Sequence, residues 1–183
     1  MRTKLINLGL CAGLLWSGGL ALADQSPAPA TQHENGDQEF LEKALGVNQL
    51  ELQLGQLAAQ RAITAEVKAM GQKMVEKHTE LGQQLAELAR QSGGSGKAAL
   101  SSDQRAIYER VASQSGSALD SVFKEVVDAG HVKELAMYRD EVSRAKKPAL
   151  RELAQRRVAK LEETVAQAKA PAQKPKTEPK QDW

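Results

Sequence analysis

From Val67 to Leu88 the apolar residues Val67, Met70, Met74, Leu81, Leu85 and Leu88 return at three- and four-residue steps. That is the period of a helix with one buried stripe. His78 follows Met74 by four residues and precedes Leu81 by three, so an imidazole holds a core position. A second stripe lies upstream, from near Asp37 to Arg61: Phe40, Ala44, Val47, Leu54 and Ala58, widened by Leu50 and Leu57. Asp37 is placed to cap this helix. Glu51 falls inside the stripe, four residues after Val47 and three before Leu54. The break at Ala62-Ile63-Thr64 is short, which makes the two helices antiparallel neighbours, with Thr64 capping the second.

The glycine cluster Ser92-Gly93-Gly94-Ser95-Gly96 stops that helix. Ser101-Ser102-Asp103-Gln104 offers a capping box for a short helix to about Ala112, with Ile107, Tyr108 and Val111 apolar. A third long helix is expected from Ser117 to about Ala145, where Phe123, Val127, His131, Glu134, Tyr138 and Val142 share a face. Gly130 inside it costs about 1 kcal/mol against alanine. Pro148 then opens a last helix to about Lys169, striped by Leu150, Leu153, Val158, Leu161 and Val165. The order is tight hairpin, long crossover with a short helix, tight hairpin. An all-α, ferritin-like four-helix bundle has that connectivity; plain up-down bundles do not.

The ends read differently. Met1 to Ala23 has a basic start (Arg2, Lys4), an apolar run from Leu5 to Leu20 and an Ala21-Leu22-Ala23 cleavage pattern. The run of about 16 residues is shorter than a membrane span needs. Residues 1–23 are therefore read as a signal peptide cut after Ala23, which exports the protein to the periplasm and leaves no transmembrane helix. Cys11 is preceded by Leu10 rather than by a small residue, which argues against a lipoprotein. Residues 24–36 and 170–183 lack periodicity and carry prolines, so they read as a disordered linker holding His33 and a disordered Pro/Lys tail. Residues 37–169 make one bundle domain.

Processing changes the chemistry as well as the length. Cys11, the chain's single cysteine, leaves with the signal, so disulfides, thiolate metal sites and cysteine nucleophiles are excluded. Loss of Arg2 and Lys4 takes Lys plus Arg from 25 to 23 against 23 acidic residues. With no net charge and few aromatic residues, nucleic acid is excluded as a partner. Envelope proteins or the cell wall are the partners that the compartment suggests.

Helix arithmetic then brings the polar core positions together. Glu51 and His78 are equidistant from the Ile63-Thr64 break, so in an antiparallel hairpin they lie at one height. The same exercise about Lys147 sets His131 opposite Glu162, Glu163 and Thr164, with Glu134 one turn beyond on its own face. His131 and Glu134 would then form a second layer. Asp120, roughly 16 Å from His131 along the axis, is too far to join it and reads as a cap or brace for the crossover.

The runs FLEKALGVNQLELQLGQLA, VKAMGQKMVEKHTELGQQLAELA and SGSALDSVFKEVVDAGHVKELAMY resemble the exported bacterial family numbered 4142 among the domains of unknown function. The resemblance covers Glu39 to Ala168. It implies a ferritin-like fold, no established activity, and recurrent polar positions at Glu51, His78, Asp120 and His131. It also implies an Asp before the first histidine and a Pro and a His in the last helix, where this chain has Lys77, Ala159 and Thr164.

Di-iron oxidase chemistry would need two Glu-x-x-His pairs. Val75 stands three residues before His78, and the last helix has no histidine. No serine sits in a nucleophile-elbow or Ser-x-x-Lys setting, and Met70, Met74 and Met137 are too few for a copper run. A non-catalytic envelope or stress-related protein with a structural polar layer is the preferred reading. The alternative is a single zinc, iron or manganese ion on Glu51, His78, His131 and Glu134.

Overall fold

The structure is a computed structural model that describes residues 32–170. The expected signal peptide, most of the first linker and residues 171–183 of the tail lie outside the described residues. Five helices make up the described part: α1 Gln32–Arg61, α2 Ala65–Gln91, α3 Ser102–Ala112, α4 Gly116–Arg144 and α5 Pro148–Lys169. α1 packs along α2 and α4 along α5, α1 also meets α4, and α3 packs against α1 and α4 from the crossover. This is the all-α four-helix bundle that the stripes predict.

Caps set most of the boundaries. Thr64 accepts from the Val67 amide at the start of α2. Ser101 and Gln104 form the reciprocal capping box of α3. Pro148 occupies the first turn of α5, where a missing N–H is harmless.

Asp37 is a correction. α1 begins at Gln32, five residues earlier than expected, and Asp37 does not cap its own helix. Its buried carboxylate instead accepts from the Lys146 amide at 3.0 and 3.2 Å and from the Lys147 amide at 2.9 Å. It therefore caps the α4–α5 turn, because an acidic side chain serves whichever free N–H groups packing brings to it.

α1 and α2 approach closely through glycine. A Cβ added at Gly71 would lie 2.6 Å from both the Gly55 carbonyl oxygen and the Ala59 amide nitrogen. Only a residue without a side chain lets the two backbones pack at that distance.

The apolar core forms two clusters. One gathers Phe40, Leu41, Leu45, Leu85, Leu135, Tyr138, Leu150 and Leu161, and the Phe40 and Tyr138 rings meet edge to face at 5.2 Å. The other gathers Leu50, Leu54, Leu57, Val67, Met74, Leu119, Phe123 and Val127. Along α1, α2 and α4 the clusters occupy successive stretches. Glu51, His78 and His131 fall at the change from one to the other, so polar residues divide the core.

Candidate functional site

Each helix brings its polar group to the layer by the periodicity that buries its apolar neighbours. Glu51 is 4 % exposed, His78 3 %, His131 7 % and Glu134 3 %. The expected pairing of Glu51 with His78 is present: His78 Nδ1 lies 3.3 Å from Glu51 Oε2. His131 does not form a second layer with residues 162–164. Its Nε2 lies 3.8 Å from Glu51 Oε1, so both imidazoles converge on one carboxylate. Thr164 turns back on its own helix and donates to the Lys160 carbonyl. Glu162 is drawn to the surface by Arg139 at 2.6 Å.

Two members of the layer were not anticipated. Asn48 donates from Nδ2 to the His78 carbonyl at 2.9 Å, and its Oδ1 lies 3.0 Å from His78 Nδ1. The first bond fixes the amide, so Oδ1 can only accept, and His78 carries its proton on Nδ1. Arg157 is the other. Its Nε and Nη2 fork onto Glu134 at 2.9 and 2.7 Å, the bidentate geometry that a guanidinium favours. Arg157 Nη2 also reaches to 3.7 Å from Glu51 Oε2. Glu134 is therefore engaged by Arg157 and stands apart from the two histidines.

Burial dominates the electrostatics. Desolvation, reinforced by the Arg157 guanidinium, lowers His78 to about 3 and His131 to about 4, so both rings are neutral at ordinary pH. Burial raises the Glu51 carboxyl well above the usual range, Glu134 adds to the rise, and Arg157 offsets part of it. Both Glu51 oxygens are buried and lack a hydrogen-bond partner. Ligand atoms of Glu51, His78 and His131 all lie within 4.8 Å of one another.

Asp120 corrects the expectation of a crossover brace. It accepts from the Ile63 amide (3.1 Å), the Thr64 amide (2.9 Å) and the Thr64 hydroxyl (2.7 Å), and so ties α4 to the α1–α2 turn. Its bond with the Thr64 hydroxyl lowers its carboxyl. It has no part in the layer.

The sequence matches the family described as Domain of unknown function (DUF4142) over residues 22–170. The chain belongs to that family. No curated protein matches it. This DUF4142 chain is similar in fold to a DUF305 protein from Streptomyces coelicolor, with a TM-score of 0.64 at 11% identity over 74% of this chain and 90% of that one. It is also similar to CopM in its silver-bound form, with a TM-score of 0.59 at 17% identity over 73% of this chain and 92% of that one. At those identities the likeness is one of fold.

Proposed function

We propose that this DUF4142 protein is an exported, non-catalytic helical bundle of the bacterial envelope, whose buried polar layer fixes helix register and supplies its own cation. The observation that carries the reading is the fork of Arg157 on Glu134, with the same guanidinium 3.7 Å from Glu51. Export rests on the signal-like residues 1–23 and accords with a structural relative that is described as secreted. A protein recovered from the periplasm with Asp24 as its first residue supports export; one retaining Met1 contradicts it.

A second reading, one zinc, iron or manganese ion held by Glu51, His78 and His131, has its own support. Two neutral imidazoles and a carboxylate suit such ions. Ligand atoms about 2.1 Å from a tetrahedral ion lie roughly 3.4 Å apart; here one ligand atom from each of the three residues lies within 4.8 Å of the others, and the imidazoles stand 3.3 and 3.8 Å from the two different Glu51 oxygens. Buried carboxylate oxygens without partners also ask for an occupant. The charge fits less well. A dication beside Glu51 would share it with Arg157, and Asn48 holds a proton on the His78 nitrogen nearest to Glu51.

Elemental analysis of protein purified from the periplasm without chelator separates the two. The preferred reading expects well under one metal per chain. Metal near one equivalent, lost in His78→Ala and His131→Ala, would replace it with the second.

A further inference from the structure

A cavity of about 490 Å³ opens between α1, α3 and α4, and Glu51 and Glu134 are among its lining residues. Its walls are mainly apolar, with Val47, Leu54, Ile107, Val126 and Met137 foremost. The volume is that of a small-molecule site. We propose that this cavity binds a small cationic amphiphile, with its ammonium head on Glu51 and its hydrocarbon along the apolar walls.

Two observations converge on that ligand class. Both Glu51 oxygens are buried without a partner, and an ammonium carries the hydrogen-bond donors they lack. α4 leaves room beside this carboxylate: a Cβ added at Gly130 would have Glu51 Oε1, at 3.8 Å, as its single neighbour within 4 Å. The helix interior thus carries its costly glycine where it faces the oxygen on the His131 side.

The same residues argue against other occupants. A carboxylate ligand would meet two carboxylates, and a wholly apolar one would leave Glu51 unpartnered at added cost. A single ammonium on a short hydrocarbon satisfies both ends. The ammonium and a metal ion would compete for the Glu51 oxygens, so the titration is made with any metal removed.

The test is titration of the folded, signal-free protein in EDTA with n-hexylammonium, followed by amide chemical shifts, with hexanoate and hexanol as controls. Saturable one-site binding of hexylammonium is expected, with perturbations around Val47, Gly130 and Met137, and hexanoate should bind at least about tenfold more weakly. Glu51→Gln, which keeps the shape and removes the charge, should weaken hexylammonium about tenfold. Gly130→Ala, which favours the helix, should weaken it too. Equal binding of hexanoate or hexanol, an undiminished affinity in Glu51→Gln, or no saturation by about 10 mM hexylammonium would overturn the proposal.

Discussion

Asp120 and Glu51 are both buried carboxylates, and the bundle treats them in opposite ways. Asp120 sits at a turn, where free amides of the α1–α2 connection are within reach, and it has three donors. Asp37 does the same for the α4–α5 turn. Glu51 sits mid-helix, where backbone amides are already committed, and its neighbours are two imidazoles and a guanidinium forked on Glu134. Carboxylates at helix ends can be satisfied by backbone; one in the middle depends on other side chains or on a ligand. The turns at the ends of this bundle satisfy Asp37 and Asp120 through backbone amides, and the middle leaves both Glu51 oxygens without a partner.

The largest effect should come from breaking the partnered half of the middle layer. Glu134→Leu strands the Arg157 guanidinium in the core and should cost about 4 kcal/mol in urea unfolding. Next, Asp37→Ala removes the bonds at the α4–α5 turn and should cost about 2 kcal/mol. Asp120→Asn should act in the same direction, read as a lower melting temperature.

Acid should then distinguish the layer from the ends. An imidazole lowered to about 4, as in His131, stays neutral in the folded state while the unfolded chain takes up a proton below about 6.5. The folded state is thus favoured fully above that value and loses ground as pH falls towards 4. Wild type should lose about 2 kcal/mol relative to His131→Leu over that window. Glu51, with its raised carboxyl, acts the other way: its contribution is present below the ordinary carboxylate value and fades as pH rises. Glu141, pushed up to about 7 by burial and then by Asp37, has the same sign as Glu51.

The smallest effect should be at Glu51 itself. Glu51→Gln replaces a buried carboxyl that lacks a partner with an amide of the same shape, so stability near pH 7 should change by less than about 1 kcal/mol. A loss as large as that of Asp37→Ala would erase the contrast between the ends and the middle.

The helices and the Glu51–His78 contact were legible because both follow from periodicity and distance from a turn. Arg157 carried the same kind of signal, four residues after Leu153 and four before Leu161. It is easy to pass over, since arginine on a stripe commonly extends to solvent. Asn48 also lies on the inner face, three residues before Glu51. Convergence of His131 on Glu51 was not legible, because hairpin arithmetic pairs residues only within α4–α5 and carries no information on how α4 sits against α1. Asp37 and Asp120 misled for a related reason: each caps a turn distant in sequence, which local rules cannot assign.

Cobalt(II) titration of wild type beside Arg157→Met, followed by visible absorption, tests the central claim that Arg157 is the cation of the layer. Wild type should show no ligand-field bands. The variant, with Glu51, His78 and His131 freed of the guanidinium, should take up about one equivalent. Stoichiometric cobalt uptake by wild type would contradict the account and make the layer a metal site.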